Sequence, residues 1–319
     1  MASHIAGDVG EYAASPLEVP MRGWGQVVRR VIRELSDDQL SIIAAGVSFY
    51  GLLAIFPAIA AFVTLYGLIA EPATVEQQLQ PLQEVVPPAA YGILAAQLRT
   101  VASQGQTSLS FGLIIGLAVT LWSAMAGIKT IIIALNIAYE EKERRGFVRL
   151  NLTALFFTLG GMVFMLLSLF AIAAIPAIVD LLAVPEPLAG ILLWVRWLAM
   201  ALLALLALAL VYRFGPSRRP ARWRWILPGA ILAALLLVAG SVAFSFYVAN
   251  FADYNATFGS LGAVVILLMW FFLSGYAVGL GAELNAELER QTHRDTTVGP
   301  AKPPGRRGAY VADHSVHGN

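Results

Sequence analysis

Long apolar runs alternate with short polar stretches along this chain. The runs cover roughly residues 42–69, 109–136, 152–179, 190–212, 225–249 and 258–282. A helix needs about 20 apolar residues to cross about 30 Å of hydrocarbon, so each run predicts one membrane-spanning helix. Backbone groups in lipid must be satisfied within the segment, which continuous runs achieve as helices. A membrane barrel would show alternating segments of about 10 residues instead. The pattern predicts an all-α polytopic membrane protein, a bundle of six transmembrane helices.

The polar stretches carry patterns of their own. In "RGWGQVVRRVIRELSDD", residues 22–38, Trp24, Val27, Val28, Val31, Ile32 and Leu35 recur at helical spacing, with arginines on the other face. An interfacial amphipathic helix anchored by Trp24 is expected; the alternative is a helix packed on the bundle. Residues 70–108 form the long loop. There Leu79, Leu82, Val85 and Val86 precede Pro87 and Pro88, and Leu94, Leu98 and Val101 follow, which predicts short external helices. Residues 1–21 and 291–319 are polar and are expected to be disordered tails around a membrane domain of residues 22–290. The first 20 residues lack the apolar centre of a cleavable signal, so the first run is expected to direct insertion and stay.

Composition agrees: 58% of the 319 residues are hydrophobic and 13% charged, with mean hydropathy +0.72, against about 25% charged in soluble domains. A net charge of +1 names no partner, but its distribution is informative. Arg22, Arg29, Arg30 and Arg33 precede the first run, and Lys142, Arg144, Arg145 and Arg149 separate the second and third. Arg213, Arg218, Arg219, Arg222 and Arg224 separate the fourth and fifth, and Arg290, Arg294, Lys302, Arg306 and Arg307 follow the sixth. The alternate loops are acidic, with Arg99 their only base. Positive charge flanking spans on one side marks the cytoplasmic face. A bacterial inner-membrane protein with both termini cytoplasmic is expected, its basic loops meeting anionic lipid headgroups.

The stretches "LSIIAAGVSFYGLLAIFP" (40–57), "LWSAMAGIKTIIIALNIAYEEKERRGFVRL" (121–150) and "YNATFGSLGAVVILLMWFFLSGYAVGLGAELNAELE" (254–289) resemble the YihY/BrkB family of bacterial inner-membrane proteins. The resemblance covers about residues 22–290 and is most specific in the last stretch, with "GSLGA", Trp270 and "GAELNAE". It implies six membrane helices with both ends inside. The family carries an old ribonuclease label regarded as a misassignment, and its members are described as candidate transporters with proposed links to envelope lipids. It supplies no settled catalytic or substrate residues.

Enzyme chemistry finds little footing in the residues. There is no cysteine, and His4, His293, His314 and His317 all lie in the polar tails. No zinc-protease helix motif or P-loop occurs. No catalytic, cofactor or metal site is expected, the chain is read as a non-enzyme, and no nucleic-acid partner is expected. The polar groups inside the spans are the candidates instead. Lys129 and Glu283, with Asn136 and Asn285, fall in one inner layer and predict a polar cluster, since intramembrane charge is functional by default; an inner-leaflet anchor is the alternative for Lys129. Arg196 between Trp194 and Trp197 reads as an interfacial anchor. Pro57 removes the bond to the carbonyl of Leu53 and predicts a kink or hinge. Glycines four apart, at Gly112 and Gly116 and at Gly275 and Gly279, allow close helix packing or a homo-oligomer contact. The expected function is a transporter or flippase-like protein for a lipid or other amphipathic solute. The alternative is a non-catalytic scaffold or envelope-assembly factor.

Overall fold

The computed structural model describes residues 9–69, 106–182, 185–251 and 262–316. The short helices expected between Leu79 and Val101 lie outside these residues, as does the beginning of the sixth run. Helix α1 is Met21–Asp37, α2 Leu40–Ile69, α3 Gln106–Ala138 and α4 Phe147–Leu169. A π-helical segment, Phe170–Ala174, joins α4 to α5, Ile175–Leu181. Then come α6 Glu186–Phe214, α7 Trp223–Phe251, α8 Gly262–Arg290 and the short α9 Tyr310–Asp313. Five of these are long and apolar enough to cross a membrane among the described residues, and Leu40–Ala54 of α2 adds a shorter apolar stretch. The protein is an all-α polytopic membrane protein. Helix α2 runs across position 57.

Among the described residues, the third run is the one whose helix changes character. Proline removes the hydrogen bond to the carbonyl four residues back, and Pro176 thereby leaves the Ile172 carbonyl without its usual donor. The π segment falls at this point. Arg196 approaches the same carbonyl with Nη1 at 3.5 Å, while its guanidinium lies 5.3 Å from the Trp197 ring. Trp194 and Trp197 are themselves exposed.

The helices meet through small residues, because lipid offers apolar side chains no reason to leave it and close approach is what favours contact. Helix α8 packs along α2 and α7, and α2 also packs along α3. A Cβ on Gly275 would lie 3.1 Å from Val47, and one on Gly279 would lie 2.2 Å from Leu40 Cδ1. The pair of α8 glycines that left an oligomer contact open thus faces α2 of the same chain. The fully buried side chains gather at one end. Leu135, Tyr139, Tyr212, Ile226, Ala286 and Val311 form one cluster there. Val27, Val31, Trp225, Leu284 and Leu288 form another, with Trp24 and Leu35 against it. Elsewhere apolar side chains such as Leu198, Leu202, Leu235 and Val242 stay exposed, as a lipid-facing surface requires.

Helix α1 packs on the bundle, the alternative reading of its amphipathic pattern. Val27 and Val31 are buried against α7 and α8, while Val28 and Ile32 point outward. Its arginines do not all face away: Arg30 pairs with Glu287 and donates to Gln291 Oε1 at 2.7 Å.

The C-terminal segment corrects an expectation. Residues 291–316, expected as a disordered tail, form an ordered strap over the buried end. Gln291, Thr292, Thr296 and Thr297 are buried. Arg307 is the internal staple: its guanidinium donates to the carbonyls of Lys302, Arg294, His293 and Ala312. The strap also joins the loop between α6 and α7, where Arg222 N–H donates to the Thr296 carbonyl at 2.9 Å and Val298 N–H to Pro220 at 3.0 Å. Polar composition suggested disorder because it offers little to bury; here backbone hydrogen bonds around a buried arginine supply the order. The N-terminal segment is likewise ordered from residue 9. Its Val9 and Glu11 carbonyls accept from Gln291 Nε2 at 2.7 Å and His293 N–H at 2.7 Å.

Candidate functional site

The four residues expected to converge divide among four places. Lys129 is half-buried, its ammonium 5.5 Å from the ring of exposed Trp122. Trp122 lies toward the N-terminus of α3, the direction in which a helical side chain leans. Among the described residues Lys129 makes no ion pair, so the Lys129–Glu283 bridge is not formed. Glu283 is buried, its carboxyl beside that of Asp38 at the α1–α2 junction. Burial raises the Asp38 pKa, and this contact partly opposes it. Asn285 is buried against α7, accepting the Gly229 N–H at 2.7 Å. The cause of the division is helix order: α8 lies between α2 and α7 and meets α3 over a shorter stretch.

Asn136 leads to a different site. Helix α3 ends in a tight reversal, with Glu140 in the left-handed region at φ 52°. Its N–H reaches the Ile137 carbonyl at 2.8 Å, and Glu141 N–H reaches that of Asn136 at 2.7 Å, a pairing that closes helix ends. The reversal returns the chain so that Asn136 Nδ2 donates to Glu143 at 2.9 Å. Its Oδ1 accepts Ser217 N–H at 2.7 Å, from the loop after α6. Glu143 is in turn held by Arg145 through two bonds of 2.8 and 2.7 Å, and Arg145 also reaches the Gly215 carbonyl at 2.8 Å. Gly215 is required by closeness: a Cβ there would sit 2.4 Å from Leu135 Cδ1.

This clasp joins two basic loops around a cavity of about 710 Å³. Its charged lining is Arg144, Arg145, Arg149, Arg213, Arg218 and Arg219, and its apolar lining includes Leu152, Phe156, Phe157 and Phe214. Arg145 is engaged by Glu143. Arg218 pairs with buried Glu289 at 2.7 Å and lies 4.7 Å from the Tyr139 ring. Burial disfavours the Arg218 charge, but the Glu289 carboxylate more than compensates, and the pKa is raised. Arg213 donates to the Ala221 carbonyl at 2.9 Å and stacks 4.4 Å from Trp223. Among the described residues Arg144, Arg149 and Arg219 make no ion pair. Shielded nitrogens without a hydrogen-bond partner remain on Arg213, Arg218 and Arg219.

The clasp makes a prediction. The Glu143 pKa is lowered to about 2, chiefly by the Arg145 hydrogen bonds with burial opposing them and Asn136 assisting. A depressed acid pKa gives stability that is present above the ordinary value and lost as pH falls through the folded one. Hydrogen exchange of residues 140–146, taken relative to the intrinsic amide rate at each pH, should therefore stay low above about 4.5 and rise progressively as pH falls from there toward about 2. Asn136→Ala should raise it at every pH, since the Ser217 N–H loses its acceptor at a cost of about 1–3 kcal/mol. Unchanged exchange in that variant would remove Asn136 from the clasp.

The arginines were legible as orientation signals and as contacts to anionic headgroups, on loops of one side. The signal left unread is the aromatic residues beside the bases in the loops after the second and fourth runs.

The fold and this site together define a polytopic α-helical membrane protein with a basic, cavity-bearing end. The chain belongs to the Virulence factor BrkB family, whose model matches residues 31–306. It is 31% identical over 254 residues to the ribonuclease-like protein YfkH of Bacillus subtilis, covering 78% of this chain and 90% of that one. It is 32% identical over 276 residues to a UPF0761 membrane protein of Chromohalobacter salexigens, covering 84% of this chain and 65% of that longer relative. A UPF0761 membrane protein of Vibrio parahaemolyticus is 27% identical, with 82% of each chain covered. No solved structure matches the chain.

Proposed function

We propose that this is a multi-pass protein of the bacterial inner membrane, with both termini cytoplasmic, that admits or moves an amphipathic solute such as a lipid. The observation that carries this reading is the cavity between the start of α4 and the end of α6, whose lining combines arginines with Leu152, Phe156 and Phe157. Such a lining suits a molecule with an acidic head and an apolar body. The orientation follows from the arginines gathered at this end, and the strap holds the two terminal segments there together. Pro57 in α2 is the proposed hinge. The ribonuclease-like name belongs to the Bacillus relative, and the reading for this chain is non-enzymatic.

A scaffold reading is favoured by one feature, the outward Val28 and Ile32 of α1, which offer a face for another membrane protein or the bilayer. Reconstitution separates the two. Liposomes carrying the purified protein should exchange labelled anionic phospholipid between leaflets faster than empty ones, and Arg149→Gln with Arg219→Gln should lower the rate severalfold. Equal rates in empty and loaded liposomes would leave the scaffold reading standing.

A further inference from the structure

We infer that the arginine cavity binds a phosphate group borne on an acyl chain, with Arg149 and Arg219 as its principal ligands. The inference deepens the proposed function and takes from it only the position of the cavity beside the membrane.

The cavity holds more positive charge than its carboxylates neutralise. Six guanidinium groups line the cavity, and the carboxylates paired with them are Glu143 and Glu289. Arg145 and Arg218 are thereby committed to holding the loops. Arg219 comes from the loop after α6 and Arg149 from the first turn of α4, so they approach from separate elements. Arg219 Nη1 is shielded from solvent and has no hydrogen-bond partner, an arrangement that costs free energy unless a ligand oxygen completes it. Arg149 is exposed. Guanidinium forks match phosphate oxygens geometrically. A carboxylate satisfies one fork, whereas a phosphate has oxygens for donors arriving from two directions. Leu152 and Phe156 continue from the cavity onto the exposed face of α4, at 59% and 60% exposure. An acyl chain can therefore remain against the membrane-facing surface while its phosphate enters the cavity.

Native mass spectrometry of the full-length protein in detergent tests this with named probes: phosphatidic acid, phosphatidylglycerol, phosphatidylcholine, a fatty acid and inorganic phosphate. One equivalent of phosphatidic acid or phosphatidylglycerol should be retained in preference to the fatty acid, which lacks the phosphate, and to phosphatidylcholine, whose choline cation offsets the phosphate charge that the arginines meet. Arg149→Gln with Arg219→Gln should weaken retention about tenfold or more, as loss of charged hydrogen bonds implies. Arg149→Gln alone, at an exposed position, should weaken it without unfolding risk, and Arg29→Gln on α1 should not. Unchanged retention in both cavity variants, or equal retention of the fatty acid, would overturn the phosphate assignment. Inorganic phosphate displacing the lipid at equal concentration would overturn the acyl-chain half. Retention without leaflet exchange would sink transport and leave this site standing. Exchange that survives the double substitution with unaltered retention would do the reverse.

Discussion

Glu289→Ala should destabilise the protein by about 3–5 kcal/mol, because removing one partner of a buried ion pair strands the other charge. Glu289 is fully buried, and Arg218 opposite it is 2% exposed. Thr296 Oγ1 also donates to the same carboxylate at 2.5 Å, so the substitution releases the strap as well as the arginine. The measurement is thermal unfolding of the purified protein in detergent, with proteolysis of residues 294–313 followed in parallel. The paired replacement Arg218→Met with Glu289→Leu should recover most of the loss, since an apolar pair can stand in for a buried ionic one. A single variant as stable as the parent, with an uncut strap, would mean that the pair does not hold the tail.

The second large effect belongs to the crossing of α7 and α8. A Cβ on Gly229 would lie 1.9 Å from the Gly281 carbonyl oxygen and 2.5 Å from Asn285 Nδ2. The first of these is backbone and cannot swing aside. Gly229→Ala should therefore cost about 1–3 kcal/mol by overpacking and disturb the bond by which Asn285 receives the Gly229 N–H. Gly281→Ala meets Tyr212 Oη at 2.4 Å and the Gly229 carbonyl at 2.5 Å. The two substitutions open the same gap, so their effects should add to less than the sum. Gly240 on the same helix has nothing within 4 Å of its would-be Cβ, and Gly240→Ala should be neutral or stabilising through helix propensity. Three equal melting temperatures would refute the crossing as drawn.

The spans were legible because bilayer thickness imposes a length that composition reveals directly. The run at 225–249 becomes Trp223–Phe251, and that at 190–212 becomes Glu186–Phe214. What periodicity does not carry is which helices are neighbours. Lys129 and Glu283 share a layer by counting residues, yet Glu283 meets Asp38 while Lys129 lies along Trp122. Asn136 was singled out for the right depth and the wrong partners: it holds Glu143 and Ser217. The arginines posed a related difficulty, because topology alone accounts for their number. Only the meeting of the loops turns them into a cavity. The strap was illegible for a different reason. Its order comes from Arg307 and its ring of carbonyl acceptors, an arrangement with no periodic signature.

The seam between Glu11 and Thr292 spans 281 positions of sequence. Synthesis delivers its two edges far apart in time, and every membrane helix has been synthesised before the second edge is. The knot at the basic end is thus tied last, and a chain stalled with one helix uninserted would leave both edges dangling within reach of quality-control proteases.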